Sequence, residues 1–412
     1  MKTYPLSNFQ DQHIKVFLND PENIKGNYPL EIRFSRNADT EKLREAVSAV
    51  FAAHPMLSAR IVKNDGCEYE WAYPEETAAV FEPYAEMTAG ELAELKSAFI
   101  KPFDFAGGGR LYRVKICKTP DAVTLLLDIQ HAIFDGTSQA IFIREVVAAY
   151  NGNPPAAETD EAFLESLRER QIPDSLERKT EEFKELMEIS GGVTVFPEQK
   201  TLAEPAGSPR FIFSNTIPAD KARAFCGAAR VSPNSLFAAA FAAAAYKRTG
   251  KKALLVGAIF SGRIGLGLEN SIGGYIKTVP LIIRHEPDKT PLENCRLAKQ
   301  NIHDAKYYGN AMQLNRSGGS VKNFRIPMLY IFHGNLLDAG ACPVLHGEKV
   351  AVNFITDSKE AKNTPLVAFE FIVAESEGSY TINCKHNDAL FDETFIKEFL
   401  GDSESFILSL IV

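Results

Sequence analysis

The residues best suited to do chemistry fall in one short stretch, Asp128-Ile129-Gln130-His131-Ala132-Ile133-Phe134-Asp135-Gly136. An imidazole titrates near neutral pH, so His131 can accept a proton from an amine or hydroxyl nucleophile. Asp135, four residues on, can hold the turn through an ion pair. Gly136 lets the backbone pass where a side chain would obstruct. The competing reading is structural, since His-x-x-x-Asp also arises without function in a chain with eight histidines. The context adds weight to chemistry: an apolar strand runs in and a helix leaves, and loops at strand ends commonly carry function. No Gly-x-Ser-x-Gly elbow is present, which argues against a covalent serine mechanism.

The elements that must position this stretch are mixed α and β. Residues 123–129 form a nearly continuous apolar run interrupted by Asp128, as a central strand buried on both faces would. Ser138 is placed to cap a helix reaching about Tyr150, with Phe142, Val146 and Ala149 on one face. Upstream, Leu30, Ile32 and Phe34 alternate with Glu31 and Arg33 and predict a half-buried strand. Asp39 then caps a helix carrying Leu43, Ala46, Val47, Val50 and Phe51, which stops at His54-Pro55. Residues 57–62 read as a further strand. In the second half, Ser232-Pro233 starts a helix that Gly250 ends. Strands are predicted over 253–260, 279–283, 329–332 and 368–373, and a last helix over 392–410. Residues 159–189 read as two exposed charged helices split at Pro173, and 190–209 as a linker rich in Gly and Pro.

Composition bounds the function. The chain has 412 residues, 45% hydrophobic and 24% charged, which excludes global disorder. A net charge of −8 argues against nucleic acid as a partner. Six scattered cysteines without a CxxC pair support neither a disulfide framework nor a metal site, and read as buried thiols in a reducing compartment. The N-terminus lacks an apolar signal region. The longest apolar run, 236–246, is about half of what a bilayer span needs. The expectation is a soluble, cytoplasmic protein that does not engage a membrane. His54, at a helix end, reads as structural, and Gly107-Gly108-Gly109 as a loop. His285, His346 and His386 read as surface residues, whereas His333, after a strand, is a candidate to face a site.

The motifs also carry a family resemblance. Gln130-His131-Ala132-Ile133-Phe134-Asp135-Gly136 resembles the His-His-x-x-x-Asp-Gly core of the condensation domains of nonribosomal peptide synthetases, within the wider chloramphenicol acetyltransferase group. Tyr4-Pro5-Leu6-Ser7-Asn8-Phe9-Gln10 is similar to the opening Pro-Leu-Ser-x-x-Gln signature, and His54-Pro55-Met56-Leu57 to the His-x-x-Leu that precedes Arg-Thr. Ser261-Gly262-Arg263 and Ile272-Gly273-Gly274-Tyr275-Ile276-Lys277-Thr278-Val279-Pro280-Leu281 follow in the family's order, as does the segment 387–391.

The resemblance implies an α/β fold of two chloramphenicol-acetyltransferase-like lobes in a V-shaped pseudo-dimer with a central tunnel. The lobes are expected at 1–175, carrying the histidine motif, and 176–412. It implies amide formation between an acyl or peptidyl thioester donor and an aminoacyl acceptor. Both would arrive on phosphopantetheine arms of carrier proteins, to a monomer with no tightly bound cofactor. His131 would position or deprotonate the amine. Gly136 would offer its N–H to the developing oxyanion. Asp135 would be paired with an arginine of the other lobe, Arg263 by preference and Arg60 second. Ser261, Tyr275, Lys277 and His333 are candidates to line the tunnel. The departures are Gln130 for the first histidine, Ser58-Ala59 for Arg-Thr and Lys277 for asparagine. With Met1-Lys2-Thr3 alone before the first motif, an initiating role that places an acyl group on the first amino acid is also expected. Two alternatives stay open: a free-standing acyltransferase using acyl-CoA on an amine or alcohol, and a non-catalytic module that recruits partners to a carrier.

Overall fold

A strand from which water is wholly excluded organises the first half of the chain. Every residue of Ala122–Gln130 is buried, Asp128 among them, as the apolar run predicts. The computed structural model describes residues 2–158, 199–200, 207–261, 268–317, 328–334, 343–355 and 368–411, with Phe196 and Arg263, less positions 7, 25, 67, 76, 208, 346 and 377. The charged stretch 159–189 and most of 190–209 lie outside the described residues, as does His346. The chain divides into two compact units, and two segments of its second half belong to the first. Unit one comprises 1–170, 261–276 and 339–362. Unit two comprises 171–260, 277–338 and 363–412.

In chain order, unit one begins with β1 (Lys2–Pro5), α1 (Asn8–Asn19), β2 (Asn27–Ser35), α2 (Thr40–Ala53), β3 (Arg60–Lys63) and β4 (Tyr69–Tyr73). It continues with β5 (Ala85–Glu86), α3 (Ala89–Phe99), β6 (Tyr112–Lys118), β7 (Ala122–Gln130) and α4 (Gly136–Tyr150). Unit two contributes β8 (Pro209–Phe213), β9 (Ile217–Pro218), α5 (Ala219–Ala229), α6 (Pro233–Thr249), β10 (Ala253–Phe260), β11 (Lys277–Arg284), α7 (Pro291–Ser317) and β12 (Met328–Gly334). Then β13 (Val344–Leu345), β14 (Glu348–Lys349) and β15 (Ala351–Phe354) return to unit one, before β16 (Phe369–Ser376), β17 (Ser379–Asn387) and α8 (Glu393–Ile411) of unit two.

The main sheet of unit one runs β15-β2-β7-β6-β5. Both neighbours of β7 pair with it antiparallel, so both its edges are bonded, and its two faces enter separate apolar clusters, Leu125 and Leu127 in one and Leu126 in the other. Leu43, Val47, Val50 and Phe51 of α2 share one core with Phe142 and Val146 of α4 and with Ile272, Leu345 and Val350 from the second half. The sheet of unit two follows β11-β10-β12-β16-β17-β8, with β9 added to β17. Alanine-rich α6 is buried in that core, capped by Ser232 and closed by Gly250.

Two readings of local structure are corrected. Residues 55–58 form a 3-10 turn with proline at its start, and the strand begins only at Arg60, because Pro55 suits a helical first position. The cap of α4 is Asp135 rather than Ser138; the carboxylate accepts from the Ser138 N–H three residues on. His386 is buried, contrary to the surface reading, because it lies within β17. His285 is half-buried, one residue beyond β11. Gly107 does sit in a loop, its N–H bonded to Asp104.

His54 is structural in a specific way. It ends α2, is buried, and lies between two carboxylates: Nε2 is 2.6 Å from Glu145 and Nδ1 3.1 Å from Glu158. Burial alone would depress its pKa, but the hydrogen bonds and charges of Glu145 and Glu158 prevail and raise it to about 9. The raised value makes the charged form part of the folded state. Its contribution is complete below the unfolded value of about 6.5 and is lost as pH rises through about 9. Denaturant unfolding is expected to show a fall of up to about 3 kcal/mol across that window. The fall should be absent in His54→Gln; an equal pH slope in the variant refutes the assignment.

Candidate active site

The turn that follows β7 is held from both sides. The His131 N–H donates to the Gly26 carbonyl at 2.7 Å, and the Gln130 N–H to Leu111 at 2.8 Å. Gln130 is fully buried and its Oε1 accepts the Ala132 N–H, so it pins the turn as a hydrogen-bonding replacement can. Its Nε2 has no acceptor among the described residues. Ala132, Ile133 and Phe134 are buried, whereas His131 is half-buried and reachable from solvent. Gly136, half-buried, is the first residue of α4, where free N–H groups and the helix dipole favour a developing negative charge.

Asp135 is at the centre of the network behind the turn. Arg263 meets it in a fork, Nη1 to Oδ2 at 2.7 Å and Nη2 to Oδ1 at 2.8 Å. The Ser138 N–H and hydroxyl donate to Oδ1, and the Tyr275 N–H donates to Oδ2 at 3.1 Å. Arg263 also donates to the carbonyls of Ser271 and Gly273 and lies over the Tyr275 ring, 4.6 Å from its centre. The pair is almost wholly inaccessible, at 2% and 0% for the two side chains. With its acceptor positions occupied, the carboxylate holds structure.

Gly274 explains why this segment lies so close. A Cβ there would sit 2.6 Å from the His131 carbonyl oxygen and nearer still to that of Ala132. Side-chain-free backbone therefore presses on the turn itself.

A second buried aspartate stands three residues before His131. Asp128 on β7 faces Arg113 on β6, Nη1 to Oδ2 at 2.7 Å, and accepts from Asn27 Nδ2 at 2.9 Å. Arg113 and Asn27 also donate to the Lys101 carbonyl, tying the loop after α3 to the strand. Burial pushes the Asp128 carboxyl up to about 6, against the opposing pull of Arg113 and Asn27.

The structure thus brings together Gln130, His131, Asp135, Gly136, Arg263 and Tyr275, all in unit one. Tyr275 is buried, its hydroxyl bonded to Ser271, and it serves the Asp135 network. Arg60, on β3, takes no part in that network among the described contacts. Ser261 is exposed in unit one; Lys277 is exposed at the start of β11, and His333 is half-buried on β12, both in unit two. Burial lowers the His333 pKa, which favours its neutral form. Sequence reasoning missed Asn27, Tyr28 and Arg113. Register with β7 is the signal that would have found them, and it needs the strand pairing. Four of the six cysteines are described, all buried and free. Among the described residues no cluster could hold a metal, and no helix is long and apolar enough to cross a membrane.

A family model described as the condensation domain matches residues 1–411. Bacitracin synthase 2 of Bacillus licheniformis is 24% identical over 414 residues, covering 90% of this chain and 16% of that protein. The chain therefore spans about a sixth of that relative's length. Among solved structures, the epimerization domain from the third module of tyrocidine synthetase B superposes with a TM-score of 0.75 at 14% identity, over 96% of this chain and 95% of that one. The starter condensation domain of rhizomide synthetase, in complex with C8-CoA and Leu-SNAC, gives 0.74 at 15% identity, over 99% and 95%. At these identities the superpositions show a shared mixed α/β fold.

Breaking a buried charge pair from one side leaves the other charge uncompensated, at a cost of about 3–5 kcal/mol. Arg263→Met is expected to lose that much in denaturant unfolding, or to prevent folding. Gly274→Ala is expected to disturb the turn locally. Its His131 resonances should move in NMR spectra while the unfolding midpoint changes less than in Arg263→Met. A Gly274→Ala protein with unmoved His131 signals contradicts the close-approach argument.

Proposed function

Since the chain belongs to the condensation domain family, we propose that it joins an acyl or peptidyl thioester donor to an amine acceptor, with both substrates carried on phosphopantetheine arms of carrier proteins. The amine nitrogen attacks the thioester carbonyl carbon, a C–N bond forms, the C–S bond breaks, and the sulfur leaves as a thiol. His131 accepts the proton that the amine gives up and returns it to the sulfur. The observation that carries this reading is the half-buried imidazole at the end of a wholly buried strand, on a turn fixed by Gly26, Gln130 and the Asp135–Arg263 pair. Gly136, at the head of α4, offers its N–H to the oxyanion of the tetrahedral intermediate. Asp135 keeps α4 and the turn in register, and Gln130 takes the structural place of the family's first histidine. Holding two reactants in line contributes much of the acceleration, so a base need supply only part of it.

An initiating role suits this reading, because one similar fold is a starter condensation domain held with an acyl-CoA and an aminoacyl mimic. The same observation favours a second reading, in which acyl-CoA serves directly as donor. Ser261, Tyr275, Lys277 and His333 remain proposed contributors to the substrate path. A monomer acting in the cytoplasm, with no nucleic-acid or membrane partner, completes the proposal.

The test is a condensation assay with an acyl-loaded donor carrier and an aminoacyl-loaded acceptor carrier. His131→Ala is expected to slow amide formation by about 100-fold or more, the range for losing a general base. Unchanged rates in a folded variant reject the assignment of His131. Turnover with acyl-CoA and a free amine, without any carrier, selects the second reading.

A further inference from the structure

A base must be aimed as well as held, and the usual aiming device for a histidine is a carboxylate on its second nitrogen. Among the described residues no carboxylate bonds the His131 imidazole, and Asp135, the obvious candidate from sequence, is fully engaged with Arg263, Ser138 and the Tyr275 N–H. The ring that meets the imidazole, among the described residues, is that of Tyr28. It meets the imidazole edge-on, with ring centres 5.2 Å apart and planes at 79°.

Tyr28 is itself held at several points. Its backbone pairs with Ile129 across β2 and β7, next to the Asn27–Gln130 pair, so ring and imidazole are set from the same two strands. Its hydroxyl donates to Gln139 Oε1 at 2.9 Å, on the helix that Asp135 caps. Its ring meets buried Phe134 at 5.5 Å and Phe354 of β15 at 4.9 Å, both at steep angles. Burial, and then the charge of Asp135, push the phenol well above its ordinary pKa, so the hydroxyl stays a donor. Phe354 is 48% exposed, a large apolar side chain kept at the surface beside Tyr28.

We propose that Tyr28 is the positioning residue of His131: its ring sets the imidazole's orientation where no carboxylate does, with Gln139 and Phe354 bracing it. Edge-to-face contact limits ring rotation and shields one flank of the imidazole from water. The contact is specific to an aromatic ring, whereas the hydroxyl serves only the brace. This rests on the reading of His131 as the base, yet its main readout needs no turnover.

The experiment compares Tyr28→Leu and Tyr28→Phe in the full chain, with His131 followed by NMR of labelled histidine and assigned through His131→Gln. Tyr28→Leu is expected to shift the His131 ring resonances and to lower kcat about 3- to 10-fold, the worth of one aromatic pair, with KM little changed. Tyr28→Phe is expected to restore the wild-type resonances and most of kcat. Unmoved His131 resonances in folded Tyr28→Leu overturn the proposal, as does an equal loss in both variants. Should Tyr28→Leu not fold, Phe354→Leu carries the test, since Phe354 braces the ring rather than the hydroxyl: a shifted His131 resonance supports the bracing, and an unmoved one overturns it. Full activity in His131→Ala would instead remove the underlying function and leave the resonance result standing.

Discussion

A carboxylate and a guanidinium without access to water set the terms for everything around the turn. Removing each from water costs several kcal/mol, and their attraction offsets this only where every remaining lone pair and N–H is also used. Asp135 and Arg263 approach that condition by recruiting neighbours. Ser138 must lie one turn into α4, which fixes where the helix starts. Ser271 and Gly273 must point their carbonyls at the guanidinium, and Tyr275 its amide at the carboxylate. That requirement brings the backbone of Gly274 against the carbonyls of the turn. The backbone of His131 is held as a by-product of satisfying a charge pair that it never touches.

The two buried aspartates of this stretch show how differently burial can be resolved. Asp135 has donors on both oxygens and a bidentate partner. Asp128 uses Oδ2 for Arg113 and Asn27, while its Oδ1 has no hydrogen-bond partner among the described residues. The outcome is a raised pKa for Asp128, pushed to about 6. Arg113, stacked 4.2 Å from the centre of the Phe103 ring, carries the tie onward to the loop at 101–102. One aspartate fastens the sheet to a loop and the other fastens a helix to a distant segment; His131 stands between them in sequence.

Much of this was legible in the sequence, and the boundary of legibility has a physical cause. The β7 run, the caps at Asp39 and Ser232 and the helix end at His54 rest on nearest-neighbour effects, and they appear where expected. The Asp135–Arg263 pairing was reached through motif order, since 128 positions separate the partners. Reading Ser138 as the cap failed because a cap is recognised by its acceptor, and Asp135 three residues earlier supplies one. His386 was misplaced because a histidine on a strand shows no apolar pattern of its own. Tyr28, Asn27 and Arg113 left no local signal at all. Their roles arise from register, a property of two strands that neither sequence segment contains alone.

The late segments of unit one carry a consequence for how the chain is made. The edge strand β15 and the residue that neutralises Asp135 are encoded far beyond α4. As a ribosome releases the chain, the residues through α4 can collapse around β7 with β2 still an open edge. Asp135 must wait for Arg263, and β2 for residues 351–354. The assembly of the first unit is thus deferred until the bulk of the second has been synthesised, a high-contact-order arrangement of the kind that folds slowly. His131 gains its fixed setting only once the chain has been made through residue 354, more than two hundred residues after its own turn.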